Sequence, residues 1–255
     1  RLALEAEPDQ PVVLVNLGTL LRAAHRNDEA WKVLEKALTF PVTRRDAGHQ
    51  LGQIRLEAGD WIGAARYLRD VLRDEPGAAD VVNTLGLAEE KQGRGAEARA
   101  LYLRAVELDT DAPAPRTNLG NLSRAEGRPD EAERWYREAI EADPYYMGAY
   151  NNLALVFQDR GEMQKAIDLY DRALAKAPDH AVVQNNLGSV YFATGDLERA
   201  RAMWRRAAAA NPEYPSPLNN LAGLELSTGN LREAETLLPR ALALDPKYGD
   251  ARINL

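Results

Sequence analysis

The chain contains no cysteine. Disulfides, thiolate metal sites and a cysteine nucleophile are therefore excluded, while either redox compartment is tolerated. Histidine is scarce: His25, His49 and His180 fall at a turn, on a helix and in a linker, and none has another histidine four residues on. No metal centre is expected from them. No apolar run approaches the ~20 residues that span a bilayer, and no signal peptide is visible. Positive charge is in deficit, with 32 Lys and Arg against 39 Asp and Glu and a net charge of -7. That balance argues against the basic face of a nucleic-acid binder and against the polybasic patch of a membrane-surface protein.

Reactive constellations are also missing. No Ser-His-Asp arrangement can be argued, and Gly93-Arg94-Gly95 reads as an inter-helix turn rather than a phosphate loop. Glu89-Glu90 and the Glu131/Glu133 pair read as solvated helix faces, and His49 as a solvated or polar-contact residue. Asn121-Leu122-Ser123 has the form of a glycosylation acceptor but lies mid-helix. No catalytic residue, no cofactor and no metal ligand is expected in this chain.

What is present is a repeat. Leu17, Leu51, Leu85, Leu119, Leu153, Leu187, Leu221 and Leu255 stand 34 residues apart without an insertion. The residue after each is small: Gly18, Gly52, Gly86, Gly120, Ala154, Gly188, Ala222. Eight after the leucine comes glycine (Gly59, Gly93, Gly127, Gly161, Gly195, Gly229), with His25 the exception. Thirteen after it comes alanine every time, from Ala30 to Ala234, and seventeen after it a large residue: Leu34, Leu68, Tyr102, Tyr136, Tyr170, Trp204, Leu238. Proline closes most units at Pro76, Pro144, Pro178, Pro212 and Pro246. Apolar residues such as Leu153, Val156, Phe157 and then Ala166, Leu169, Tyr170, Ala173 recur at helical spacing. Each unit thus reads as two helices joined at a glycine that permits a left-handed backbone. One such pair cannot bury its own apolar faces, whereas stacked neighbours can. Trp31, Trp61, Trp135 and Trp204 are read as packing residues, and Pro239 as a kink in a second helix.

These phases resemble the tetratricopeptide repeat over the whole chain. The resemblance implies an all-α fold, a right-handed superhelical α-solenoid of tandem helix-turn-helix repeats. It forms a single array over 1–255, with seven full repeats at 11–44, 45–78, 79–112, 113–146, 147–180, 181–214 and 215–248. Residues 1–10 match the end of a preceding repeat and 249–255 the start of a further one. Without a polar cap at either end, the chain is expected to be a piece of a longer protein, or to pack an end on a partner. The family often places an aromatic four residues after the leucine. Phe157 and Tyr191 fit, whereas Arg55, Glu89, Ser123 and Glu225 do not.

The residue before each ladder leucine is asparagine at Asn16, Asn118, Asn152, Asn186, Asn220 and Asn254, and a second asparagine precedes it at Asn83, Asn151, Asn185 and Asn219. Each costs several tenths of a kcal/mol of helix propensity against alanine, so something must offset it. The resemblance places these residues on first helices lining a concave groove. It is similar there to the asparagine ladder of O-linked N-acetylglucosamine transferases, where amides that both donate and accept hold a peptide backbone. The expected peptide-binding residues are Asn118, Asn151, Asn152, Asn185, Asn186, Asn219, Asn220, Gln158 and Phe192, the last as an aromatic anchor. Two other readings stay open: the asparagines bond neighbouring helices, and Phe192 packs against the next unit. No Lys/Arg cluster of the kind that clamps a terminal carboxylate is evident.

The expected function is a protein-protein interaction scaffold holding an extended peptide or partner protein, with the substrate-recruiting arm of a larger enzyme as the alternative. The partner is a protein or extended peptide, not nucleic acid or a membrane interior. End-to-end self-association through uncapped terminal helices is a third expectation.

Overall fold

The computed structural model describes residues 10–245. Ala3, Pro8, Gly249, Asn254 and Leu255, which carry the partial repeats expected at the ends, lie outside the described residues. Fourteen α-helices, one 3-10 turn (Pro41–Thr43) and no strand occur among the described residues. They fall in pairs: α1 (Pro11–Ala23) with α2 (Asn27–Leu38), α3 (Arg44–Glu57) with α4 (Trp61–Asp74), and α5 (Ala79–Lys91) with α6 (Gly95–Leu108). There follow α7 (Pro113–Ala125) with α8 (Pro129–Ala142), α9 (Met147–Asp159) with α10 (Met163–Lys176), α11 (Ala181–Ala193) with α12 (Leu197–Ala210), and α13 (Pro215–Ser227) with α14 (Leu231–Leu244). The chain divides into two compact units, Arg1–Leu122 and Ser123–Leu255. Within each unit, odd-numbered first helices and even-numbered second helices alternate.

The turn inside each pair needs a left-handed residue. Glycine supplies it at six of the turns, for example at Gly59 (φ 77) and Gly195 (φ 82), and His25 occupies the same place with φ 57. A side chain with a Cβ is disfavoured in that region, so His25→Gly is expected to stabilise the first unit by about 1 kcal/mol, read from the midpoint of urea denaturation.

The alanine phase is explained by contact. Ala30, Ala64, Ala98, Ala132, Ala166, Ala200 and Ala234 are all fully buried, where any larger side chain would overpack the pair. The small residue after the ladder leucine sits under the large residue of its own second helix. A Cβ on Gly86 would stand 2.6 Å from the Tyr102 ring, and one on Gly188 2.7 Å from the indole of Trp204. In the second unit one continuous apolar core runs from Ala132 through Leu153, Phe157, Tyr170 and Leu187 to Trp204, Leu221 and Leu238.

Pro239 lies inside α14, which runs on as one helix through it. The residue is exposed, so water can reach the carbonyl that proline leaves without a helix donor. Trp61 departs from its expected packing role and is exposed at the start of α4.

Candidate functional site

The doubled asparagines make rungs between consecutive first helices. In the second unit Asn186 of α11 donates through Nδ2 to Oδ1 of Asn151 on α9, and Asn220 of α13 donates to Oδ1 of Asn185 on α11 at 3.0 Å. In the first unit Asn118 of α7 donates to Asn83 of α5 at 2.9 Å. Each bond joins residues 35 apart, so the second asparagine of one repeat reaches back to the first asparagine of the repeat before. A hydrogen bond formed away from water offsets the lost helix propensity.

The same rung appears with different chemistry between α3 and α5. His49 Nε2 lies 2.8 Å from Thr84 Oγ1, and His49 Nδ1 lies 3.2 Å from Asp80 Oδ2. The His49 hydrogen bond, helped by Arg45, holds the Asp80 carboxyl far below the ordinary carboxylate range. Hydroxyl, imidazole and carboxylate stand here in the order of a nucleophilic triad. Thr84 nevertheless donates its proton to the Asp80 carbonyl at 2.8 Å, and it is only 8% exposed. The trio is a joint between helices. His49, expected at the surface, is buried.

The expected site residues separate into two groups. Asn185 and Asn219 are buried between helices, so neither presents its amide to a ligand. Besides its rung, Asn185 donates to Asn186 Oδ1 at 3.2 Å, and its backbone carbonyl accepts the Trp204 indole N–H at 3.0 Å. Asn118, Asn151, Asn152, Asn186, Asn220 and Gln158 are half-buried. The Tyr170 hydroxyl donates to Asn151 at 3.3 Å and lies beside the Gln158 and Asn186 amides. Burial pushes that phenol well above its ordinary range. Gln158 also donates to its own helix at Ala154 O, 3.4 Å away. Phe192 is 45% exposed and leans on Trp204 of its own repeat, ring centroids 5.7 Å apart.

Removing one rung leaves a buried acceptor without a donor. Asn220→Ala is expected to lower stability by about 1 kcal/mol, the loss from orphaning Asn185 being partly offset by better helix propensity. Denaturant titration of the variant checks it.

The sequence reading missed the chemistry of the seam between repeats. The position four residues after the ladder leucine meets the second helix of the preceding repeat. Phe157 lies under Arg137 of α8, 5.9 Å from guanidinium carbon to ring centroid, and Arg55 of α3 lies 4.7 Å over Trp31 of α2. Where the residue is acidic it is buried and paired. Glu89 has a 2% exposed side chain gripped by Arg69 of α4 and by Arg94. Glu225 is likewise 2% exposed, accepts from Arg201 of α12 at 2.6 Å, and takes a further bond from Asn230 at 3.1 Å. Glu89 is thus no solvated face residue. The available signal was an arginine 20 or 24 residues before the acid, as at Arg69 and Arg201.

Among the described residues no cluster of potential metal ligands occurs and no helix is long and apolar enough to cross a membrane. A family model described as Tetratricopeptide repeat matches residues 49–113 and 185–249, about half of the chain, and two more of that description match 115–146 and 145–213. The chain is 30% identical over 105 residues to Tetratricopeptide repeat protein 8 of Caenorhabditis elegans, a match covering 40% of this chain but only 21% of that relative. Its fold is similar to that of pilF of Pseudomonas aeruginosa (TM-score 0.64, 21% identity, 82% of this chain and 95% of that one). It is also similar to that of YrrB, described as a TPR protein with an unusual peptide-binding site (TM-score 0.51, 17% identity, 74% and 97%). At such identities the likeness concerns the fold alone. With the 34-residue phases, the stacked helix pairs and the family matches in agreement, the chain belongs to the tetratricopeptide repeat family.

Proposed function

We propose that the chain is a protein-protein interaction scaffold that holds an extended peptide, or an extended segment of a partner protein, along the first helices of the second unit. The observation that carries this reading is the line of rungs across α9, α11 and α13. They set three first helices side by side and leave half-buried amides at the surface. Asn220 spends one N–H on Asn185, and its carbonyl oxygen accepts no hydrogen bond among the described residues. A peptide backbone needs one acceptor and one donor per residue, and such amides supply both without reading side chains. The fold it shares with YrrB, described as having a peptide-binding site, is consistent with this role.

Binding to this face is tested by display of a randomised peptide library, with anisotropy measurements on the selected peptides. Ser189→Glu, on the α11 face, is expected to abolish binding with unchanged circular dichroism, and Arg172→Glu, exposed on the second helix α10, to leave it intact. Peptides indifferent to Ser189→Glu, or no selected peptide, would contradict the proposal.

A further inference from the structure

The face just described has a chemical bias that decides what it can hold. The helices α9, α11 and α13 have 13 residues each and carry only two charged residues, Asp159 and Glu225, in a chain that is 28% charged. Neither offers an unpaired charge. Asp159 is bonded to Arg124 at 2.8 Å, and Glu225 is buried against Arg201. The first helices of the first unit differ: α3 and α5 bear Arg45, Asp46, Asp80, Glu90 and Lys91.

Helix geometry gathers what remains. Successive residues turn by about 100°, so Val182, Asn186, Ser189 and Ala193 form one stripe on α11, with Phe192 at its edge. Val182 is 42% and Phe192 45% exposed, and they stand about 15 Å apart along the axis. Between them lie the Asn186 amide and the Ser189 hydroxyl. A charged side chain laid here would lose water and meet no opposite charge, which is unfavourable. A bulky apolar side chain would gain by covering the exposed part of the Phe192 ring, which leans on Trp204.

We infer that this face selects a segment that is uncharged where it crosses α9, α11 and α13 and that seats one bulky apolar side chain on Phe192. The inference rests on the preceding reading of the face as a peptide site. Neutral against neutral is the charge match the surface supplies, and the anchor sets the register of the segment along the amides.

The experiment selects peptides about twelve residues long, enough to cross three helices packed ~10 Å apart at ~3.3 Å per residue. The whole chain is used as bait. Selected pools are expected to be depleted in Asp, Glu, Lys and Arg against the input library and to keep one bulky apolar residue. Their affinity should change by less than about twofold between low and high salt. Phe192→Ala should weaken binding about tenfold or more, and Phe192→Leu, which keeps an apolar side chain, by much less. Selected peptides rich in one sign of charge, with steep salt dependence, would overturn the inference while leaving the binding reading standing. Peptides indifferent to Phe192→Ala but sensitive to Ser189→Glu would do the same. Concentration-dependent dimerisation abolished by Phe192→Ala would assign the face to a second copy of this chain and also overturn it. A library that yields no binder overturns both readings.

Discussion

Trp204→Ala is expected to lower the stability of the second unit by about 3–5 kcal/mol. The indole is almost fully buried, stands directly over Gly188, and donates its N–H to the Asn185 carbonyl at 3.0 Å. Truncation therefore opens a cavity that the glycine beneath has no side chain to fill. It also removes a bond on the residue that accepts the Asn220 rung, so packing and rung fail together. In a repeat stack each pair leans only on its neighbours. The loss should appear first as faster amide hydrogen exchange in α11, α12 and α13. Urea denaturation followed by circular dichroism gives the total. Trp61→Ala is the control: the same deletion at an exposed position is expected to cost under about 1 kcal/mol. Equal effects at the two sites would contradict the packing account.

Arg201→Ala is expected to cost about 3–5 kcal/mol, because it strands a buried carboxylate. Once Arg201 is gone, Glu225 keeps the Asn230 hydrogen bond and the more distant charge of Arg205, but no ion-pair contact among the described residues. Glu225→Phe, by contrast, should be far milder. The equivalent residue Phe157 already packs under Arg137, and replacing the acid of a buried pair by a well-packed apolar group is often near neutral. The pH dependence follows from the same bonds. Burial alone would push the Glu225 carboxyl up, but the hydrogen bonds from Arg201 and Asn230 outweigh it and hold the group below its ordinary value. A carboxyl whose folded value is depressed contributes stability that is complete above the ordinary carboxylate range, near pH 4.3. That contribution is lost as pH falls through the folded value. In Arg201→Ala the burial effect is left to dominate, so acidification should shrink the gap between variant and parent. Chemical denaturation at pH 7 and near pH 4 reads both. A gap that widens on acidification would contradict the assignment.

The repeat, its helix pairs and its tight glycines were legible because each depends on one position meeting the same partner in every unit. Gly188 under Trp204 and Gly86 under Tyr102 are the same contact twice, so the phases show it directly. The seam was not legible in that way. Glu225 and Phe157 occupy one phase with opposite chemistry, and each makes sense only with an arginine on the preceding second helix. The asparagine pairs fall between these cases. Their phase marked the contact, but residues one apart point about 100° apart, and the phase alone does not say which faces inward. Packing decides: Asn185 and Asn219 are buried, while Asn186 and Asn220 are half-exposed. Of the two readings of the asparagines, repeat-to-repeat bonding is observed, and a ligand has only what the rungs leave over. For His49 the buried outcome depended on Asp80 and Thr84, one turn apart on the next first helix.

The most direct measurement is a crystal structure of the chain bound to one selected peptide. The account predicts an extended backbone crossing α9, α11 and α13, with a peptide N–H donated to Asn220 Oδ1, an apolar side chain on Phe192, and the Asn186–Asn151 and Asn220–Asn185 bonds intact. A peptide seated on the second helices, or one that breaks those bonds to reach the asparagines, would contradict it.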